Sequence, residues 1–149
     1  MDKILSISVA AYNVASTLSE AIDPFIQSGV IDALDIMIVD DGSKDNTAEI
    51  AQKYQKRFPE SIRFIHKENG GWGSTVNTGI RNAIGKYFKQ LDGDDYYSPE
   101  NLPGYIEELR KHNSDIVITP YITYDDITKN VITTENCNPG CPIGVEMKL

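Results

Sequence analysis

Lys86-Tyr87-Phe88-Lys89-Gln90-Leu91-Asp92-Gly93-Asp94-Asp95 reads as a strand that runs straight into three carboxylates. Gly93 is expected to let the backbone turn tightly between the acids. Carboxylates this close repel one another and call for a compensating positive charge, such as a divalent cation. A solvated acidic turn fits the same residues, and the chain is acidic throughout. The neighbouring segments have to decide between the two readings.

Upstream, the same layout recurs. Ile4 to Ala10 is a buried strand of branched residues that delivers Tyr12-Asn13 at its C-terminal end. An aromatic at that edge of an open parallel sheet is a candidate stacking platform for a base, or simply a side chain packed at the rim. Ala33 to Asp40 forms the second strand and runs into Asp40-Asp41-Gly42-Ser43-Lys44-Asp45-Asn46-Thr47. One of Asp40 and Asp41 is expected to accept hydrogen bonds from a base or ribose, the other only to shape the turn and cap the helix. Ile62 to Ile65 is a short third strand, followed by His66-Lys67-Glu68-Asn69-Gly70-Gly71-Trp72-Gly73-Ser74. Its glycines permit positive φ and close approach of a ligand, and the amides of the helix beyond can face an anion. The loop is neither a P-loop nor a G-x-G-x-x-G fingerprint.

Helices fill the intervals. The first runs from a Ser16 or Thr17 cap to about Ser28, with Pro24 expected to kink or split it and Gly29 to end it. The second starts at Asp45 to Thr47 and reaches about Phe58. The third spans Ser74 to Ala83, with Val76, Ile80 and Ala83 on its apolar face and Asn77 beside Arg81 on another. Ser98-Pro99-Glu100 starts a fourth, with Leu102, Tyr105, Ile106 and Leu109 inward. Asp115-Ile116-Val117-Ile118 opens a further strand, and Tyr121 to Tyr124 with Val131 to Thr134 form a hairpin. Alternation of this kind predicts an α/β fold: a mostly parallel sheet flanked by helices, with a small antiparallel hairpin near the C-terminus.

Composition sets bounds. The 149 residues suffice for one domain with its own core, and 40% of them are hydrophobic. A formal charge of −8 argues against non-specific nucleic-acid binding. No apolar stretch approaches the ~20 residues that span a bilayer, and the N-terminus lacks the layout of a signal peptide. A cytoplasmic protein is the default, with the inner membrane surface as the alternative place for a full-length protein. Cys137 and Cys141 are read as a reduced structural or incidental pair.

Taken together, Ser6 to Asn13, Val39 to Thr47, Asn69-Gly70-Gly71 through Asn77-Thr78-Gly79 to Gly85, and Leu91 to Asp95 resemble the successive motifs of the family 2 glycosyltransferases. The resemblance runs in order from about residue 4 to 120. It implies a GT-A fold, a nucleotide-diphosphate sugar donor of UDP type, a glycan or other hydroxyl acceptor, inversion, and Mg²⁺ or Mn²⁺. On matching positions it implies that Tyr12 lines or stacks on the base and that Asp41 holds base or ribose. Asn13, Asp40, Asn69, Gly70, Asn77 and Asp92 complete the donor contacts, and Asp94 and Asp95 hold the metal. Ala10 and Trp72 depart from the family's usual residues.

Inverting members use a further carboxylate to deprotonate the acceptor. Glu107, Glu108, Asp115, Asp125, Asp126, Glu135 and Glu146 are available, none of them in a motif, so no catalytic base is assigned. The chain is therefore expected to be a donor-binding fragment lacking the acceptor side. A non-catalytic nucleotide-sugar-binding module is the competing reading. A nucleotidyltransferase is disfavoured because a basic, glycine-rich phosphate loop near the first strand is missing.

Overall fold

The computed structural model describes residues 2–125, 127–128 and 130–135. Strand β1 (Leu5–Ala11) explains much of the architecture through its alternation. Leu5, Ile7, Val9 and Ala11 enter the hydrophobic core with Leu18, Ile22 and Phe25 of α1 (Leu18–Gln27). Burying each large aliphatic side chain there stabilises by about 1.5–3 kcal/mol. Ser6 and Ser8 are equally buried but alternate with that set, and Ser8 lies against α3 (Trp72–Asn82). Small side chains on that face let the helix backbone come close.

Beside β1 run β2 (Leu34–Asp40), β3 (Ile62–His66) and β4 (Tyr87–Asp92). All pairings are parallel, in the order β3-β2-β1-β4. Helix α2 (Thr47–Arg57) connects β2 to β3, and α3 carries the chain back across to the far side of β1. That reversal makes the C-terminal end of β1 a topological switch point, where open α/β sheets form a crevice. Leu91 and the buried face of α4 (Leu102–Lys111), namely Leu102, Ile106 and Leu109, close the core.

At the opposite, N-terminal edge Asp35 is buried and bound bidentately by Arg63, at 2.8 and 2.9 Å. Ser6 Oγ also donates to it, at 2.6 Å, and itself accepts the amides of Ile84 and Gly85, the Ile84 amide being shared with Asp35 Oδ2 at 3.3 Å. This network fastens the α3–β4 connection to β1.

Residues up to Lys111 form one compact unit, and the hairpin of β5 (Tyr121–Tyr124) and β6 (Val131–Glu135) belongs to a second that begins at His112. The hairpin is antiparallel, as expected.

Several local expectations are corrected. Residues 115–118 are irregular and exposed, not a strand: an apolar run needs a ladder to pair with, and these have none among the described residues. Helix α4 starts at Leu102, after a turn in which Asn101 N–H donates to Ser98 O and Ser98 Oγ donates to Glu100. Pro24 does not split α1, since its ring is buried beside Ile22 and Phe25, where packing offsets the missing amide. The buried positions of α3 are Thr75 and Gly79, while Ile80 is exposed, because contact with Ser8 selects the smallest residue. Gly93 is not in the left-handed region; a Cβ there would lie 2.8 Å from Ala10 O and 3.0 Å from Val14, so close packing demands glycine. Cys137, Cys141, Asp126 and Glu146 lie outside the described residues.

Candidate donor site

The sharp turn after β2 separates two adjacent acids. Asp40 is buried, with Oδ1 accepting the Ser43 amide at 3.0 Å and Oδ2 2.7 Å from His66 Nδ1. It shapes the turn and anchors the end of β3.

Asp41 faces the other way. Its Oδ1 accepts the Gly70 amide at 2.9 Å and its Oδ2 the Gly71 amide at 2.8 Å. Lys67 Nζ also donates to Oδ1, and Asn69 Nδ2 donates to the Asp41 carbonyl at 3.0 Å. The anion held by the amides that lead into α3 is thus the protein's own carboxylate. Gly71 caps the helix at φ 79°, a conformation that glycine adopts without strain. A carboxylate has about four acceptor positions, and three are used, so one on Oδ2 is left for a ligand N–H or O–H.

Burial pushes the Asp41 carboxyl up, but the Lys67 ammonium and the two glycine amides outweigh it and hold the carboxyl below its ordinary value. A depressed carboxyl contributes stability that is present above the unfolded-state value and lost as pH falls through the folded one. Acid titration of stability, followed by urea unfolding from about pH 5 downward, is expected to fall less steeply in Asp41→Asn than in the wild type.

Two more strand ends converge on Asp41. Tyr12 follows β1 and is 51% exposed. Asn13, at φ 55°, accepts the Lys44 amide on its side-chain oxygen at 2.8 Å, and its own amide donates to Ser43 Oγ at 2.9 Å. It binds the loop after β1 to the loop after β2. On the far side β4 ends in Asp92, whose Oδ1 accepts the indole N–H of Trp72 at 2.7 Å. Thr17 occupies the N-cap of α1 without capping it; its hydroxyl instead donates to Gly93 O at 2.9 Å, fastening the acidic turn to α1.

Between these ends lies a cleft of about 430 Å³, within the usual range for small-molecule sites. Tyr12, Asp41, Asn69, Asp92 and Asp94 line it, together with Gly71, Trp72 and Thr75. Asn13, Asp40, Gly70 and Asp95 are not among its lining residues, though each is next in the chain to one, and Asn77 is exposed on α3.

Sequence reasoning gave no role to Lys67 or to Trp72. Lys67 carries no local signal, since its partner is 26 positions away. Trp72 is the single tryptophan, set among glycines, and that oddity was the available clue.

The sequence model of the Glycosyl transferase family 2 matches residues 6–142. The chain belongs to glycosyl transferase family 2. An uncharacterized family relative, glycosyltransferase EpsJ of Bacillus subtilis, is 41% identical over 117 residues, covering 78% of this chain and 33% of EpsJ. The chain thus spans about a third of that relative's length. S. aureus TarS 1-349 in complex with UDP-GlcNAc superposes with a TM-score of 0.67 at 27% identity, over 75% of this chain and 32% of that one. Mannosyltransferase PcManGT from Pyrobaculum calidifontis, solved with GDP-Man and Mn²⁺, gives 0.63 at 20% identity, over 74% of this chain and 32% of that one. At that identity the likeness is one of fold. The fold is GT-A, as the motifs implied.

Carboxylate chemistry decides whether a divalent ion fits. Asp94 and Asp92 both face the cleft, and Asp92 keeps one oxygen free of the indole. Burial raises the Asp95 carboxyl, and the charges of Asp94 and Asp92 raise it further, so negative charge accumulates here unbalanced. No set of three or more His, Cys, Asp or Glu ligands gathers among the described residues. Mg²⁺ does not require one: it is commonly held by one or two carboxylates plus substrate phosphates and water. The residues present fit such a shared site.

Proposed function

We infer that this chain is the donor-binding part of a glycosyltransferase that moves a sugar from a UDP-type nucleotide-diphosphate donor to an acceptor hydroxyl, with inversion, using Mg²⁺ or Mn²⁺. The observation that carries the reading is one cleft, at the C-terminal edge of the sheet, lined by Tyr12, Asp41, Asn69, Asp92 and Asp94. Tyr12 offers a face for the base, and Asp41, kept ionised by Lys67, accepts an N–H or O–H from base or ribose. Asp92 and Asp94 take the diphosphate end, where Asp94 and a neighbouring acid hold the ion. Bound there, the ion supplies Lewis-acid neutralisation of the charge that builds on the leaving diphosphate. The UDP-GlcNAc complex of TarS supports the choice of UDP.

UDP with Mn²⁺ is expected to raise the melting temperature, a hundredfold excess over Kd stabilising by about 2.7 kcal/mol. Asp94→Asn is expected to abolish that shift while leaving the unliganded melting temperature within a degree or two, roughly the effect of a surface substitution. If no nucleotide diphosphate shifts the wild type, the reading is wrong.

A second reading, a nucleotide-sugar-binding module without transfer activity, is favoured by the cleft's lining, whose described residues include no carboxylate besides Asp41, Asp92 and Asp94. Donor hydrolysis or transfer by the purified chain would exclude it.

A further inference from the structure

The indole of Trp72 is 61% exposed at the mouth of the cleft, yet its one polar atom is engaged. Its N–H donates to Asp92 Oδ1 at 2.7 Å, joining the first residue of α3 to the last residue of β4. Tryptophan is only a donor and an ionised carboxylate only an acceptor, so the direction of this bond is unambiguous. Hydrogen bonds of this kind, to a charged acceptor, are among the stronger ones.

What puts the indole there is equally specific. Asp41 takes the amides of Gly70 and Gly71, and α3 begins at the next residue, Trp72. Asp41 at one end of the cleft therefore sets the loop that sets Trp72, and Trp72 holds Asp92 at the other end. No described aromatic ring stacks on the indole, and its N–H bond to Asp92 is its polar tie across the cleft. A phenylalanine would have the same anchor on the helix and nothing to give Asp92.

We propose that Trp72 is a positioning residue of the donor site: its indole N–H fixes the Asp92 carboxylate so that the second oxygen faces the diphosphate end of a nucleotide-diphosphate ligand. The proposal rests on the donor-site reading above. It assigns Trp72 a task separate from lining the cleft, and it makes Asp41 and Asp92 parts of one linked assembly.

The test uses the full chain. Trp72→Phe keeps an aromatic ring and removes only the N–H; Trp72→Ala removes both. Calorimetric titration with UDP plus Mn²⁺ is expected to show binding weakened about tenfold in Trp72→Phe, the scale of a lost hydrogen bond to a charged group. Uridine, which lacks the diphosphate, is expected to bind both proteins alike. In an Asp92→Ala background Trp72→Phe should cost nothing further, a non-additivity expected only for groups acting together. With a single tryptophan in the chain, one indole ¹⁵N–¹H resonance reports the bond without any ligand: slow solvent exchange in the wild type and faster exchange in Asp92→Ala.

Equal UDP affinity of wild type and Trp72→Phe, with a loss confined to Trp72→Ala, would reduce Trp72 to an apolar wall and overturn the proposal. Indole exchange that Asp92→Ala leaves unchanged would overturn it as well. A wild type that binds no nucleotide diphosphate would remove the donor-site reading and this proposal together. The two failures are therefore distinguishable.

Discussion

Asp41→Ala is expected to lose about 3 kcal/mol of folding stability and to bind UDP at least a hundredfold more weakly. The stability loss comes from three donors deprived of one acceptor. Gly70 N–H, Gly71 N–H and Lys67 Nζ all converge on the Asp41 carboxylate, and the Lys67 side chain is only 18% exposed. Removing one member of a buried pair leaves the other charged and unpaired, which costs about 3–5 kcal/mol. The lower end applies because Lys67 also donates to Glu68 O. The binding loss is expected to exceed one contact because the carboxylate proposed above to accept a ligand hydrogen bond is also the clasp of the glycine loop. Urea unfolding and UDP titration measure the two effects separately. In a Lys67→Ala background the stability cost should shrink, since the unpaired ammonium is gone. An Asp41→Ala protein as stable as the wild type would show that the loop holds itself.

Gly85→Ala is expected to be one of the two most damaging glycine-to-alanine substitutions outside the cleft, Gly79→Ala being the other. A Cβ at position 85 would sit 2.6 Å from Ser6 N and 2.9 Å from Leu5 C. Both are backbone atoms of β1, paired on each side, so neither can yield without disturbing both ladders. Overpacking of this kind costs about 3 kcal/mol at the upper end of its usual range. The matched control is Gly104→Ala on α4, where a Cβ would meet nothing within 4 Å. There alanine's helix propensity should add up to about 1 kcal/mol. Opposite signs from the same chemical change, read in one urea series, would tie the effect to the approach of the chain to β1. A Gly85→Ala protein as stable as the wild type would mean that the α3–β4 connection moves freely.

The parallel core was legible because each of its strands is a short branched run stopped by polar residues, as in Ile36-Met37-Ile38-Val39 before Asp40. The positions of Tyr12, Asp41, Asp92 and Asp94 were legible for a related reason. They follow directly from strand ends, and parallel strands bring their ends to one edge. Residues 115–118 misled because branched apolar residues state a preference, while a strand also needs a ladder. The face of α3 was misread because periodicity marks large apolar residues as inward. At Gly79 the constraint is space: a Cβ would lie 2.2 Å from Ser8 Oγ. The Lys67 and Trp72 contacts join residues at least 20 positions apart and have no local signature at all.

The strand order has a further consequence, in time. β1 pairs with β2, its near neighbour along the chain, but also with β4, so that Leu5 lies opposite Tyr87. Closing that second pairing joins segments far apart in sequence, and such contacts form late because their entropy cost precedes their reward. On a ribosome, β1, β2 and β3 can emerge and pair before Tyr87 has left the exit tunnel. The nascent sheet would hold Asp41 in place while one long side of β1 still waits for its partner. Asp92 and Asp94 arrive last. The cleft is therefore completed by a single docking event, and a chain stalled before β4 carries Tyr12 and Asp41 on an edge with an open, pairing-competent strand beside it.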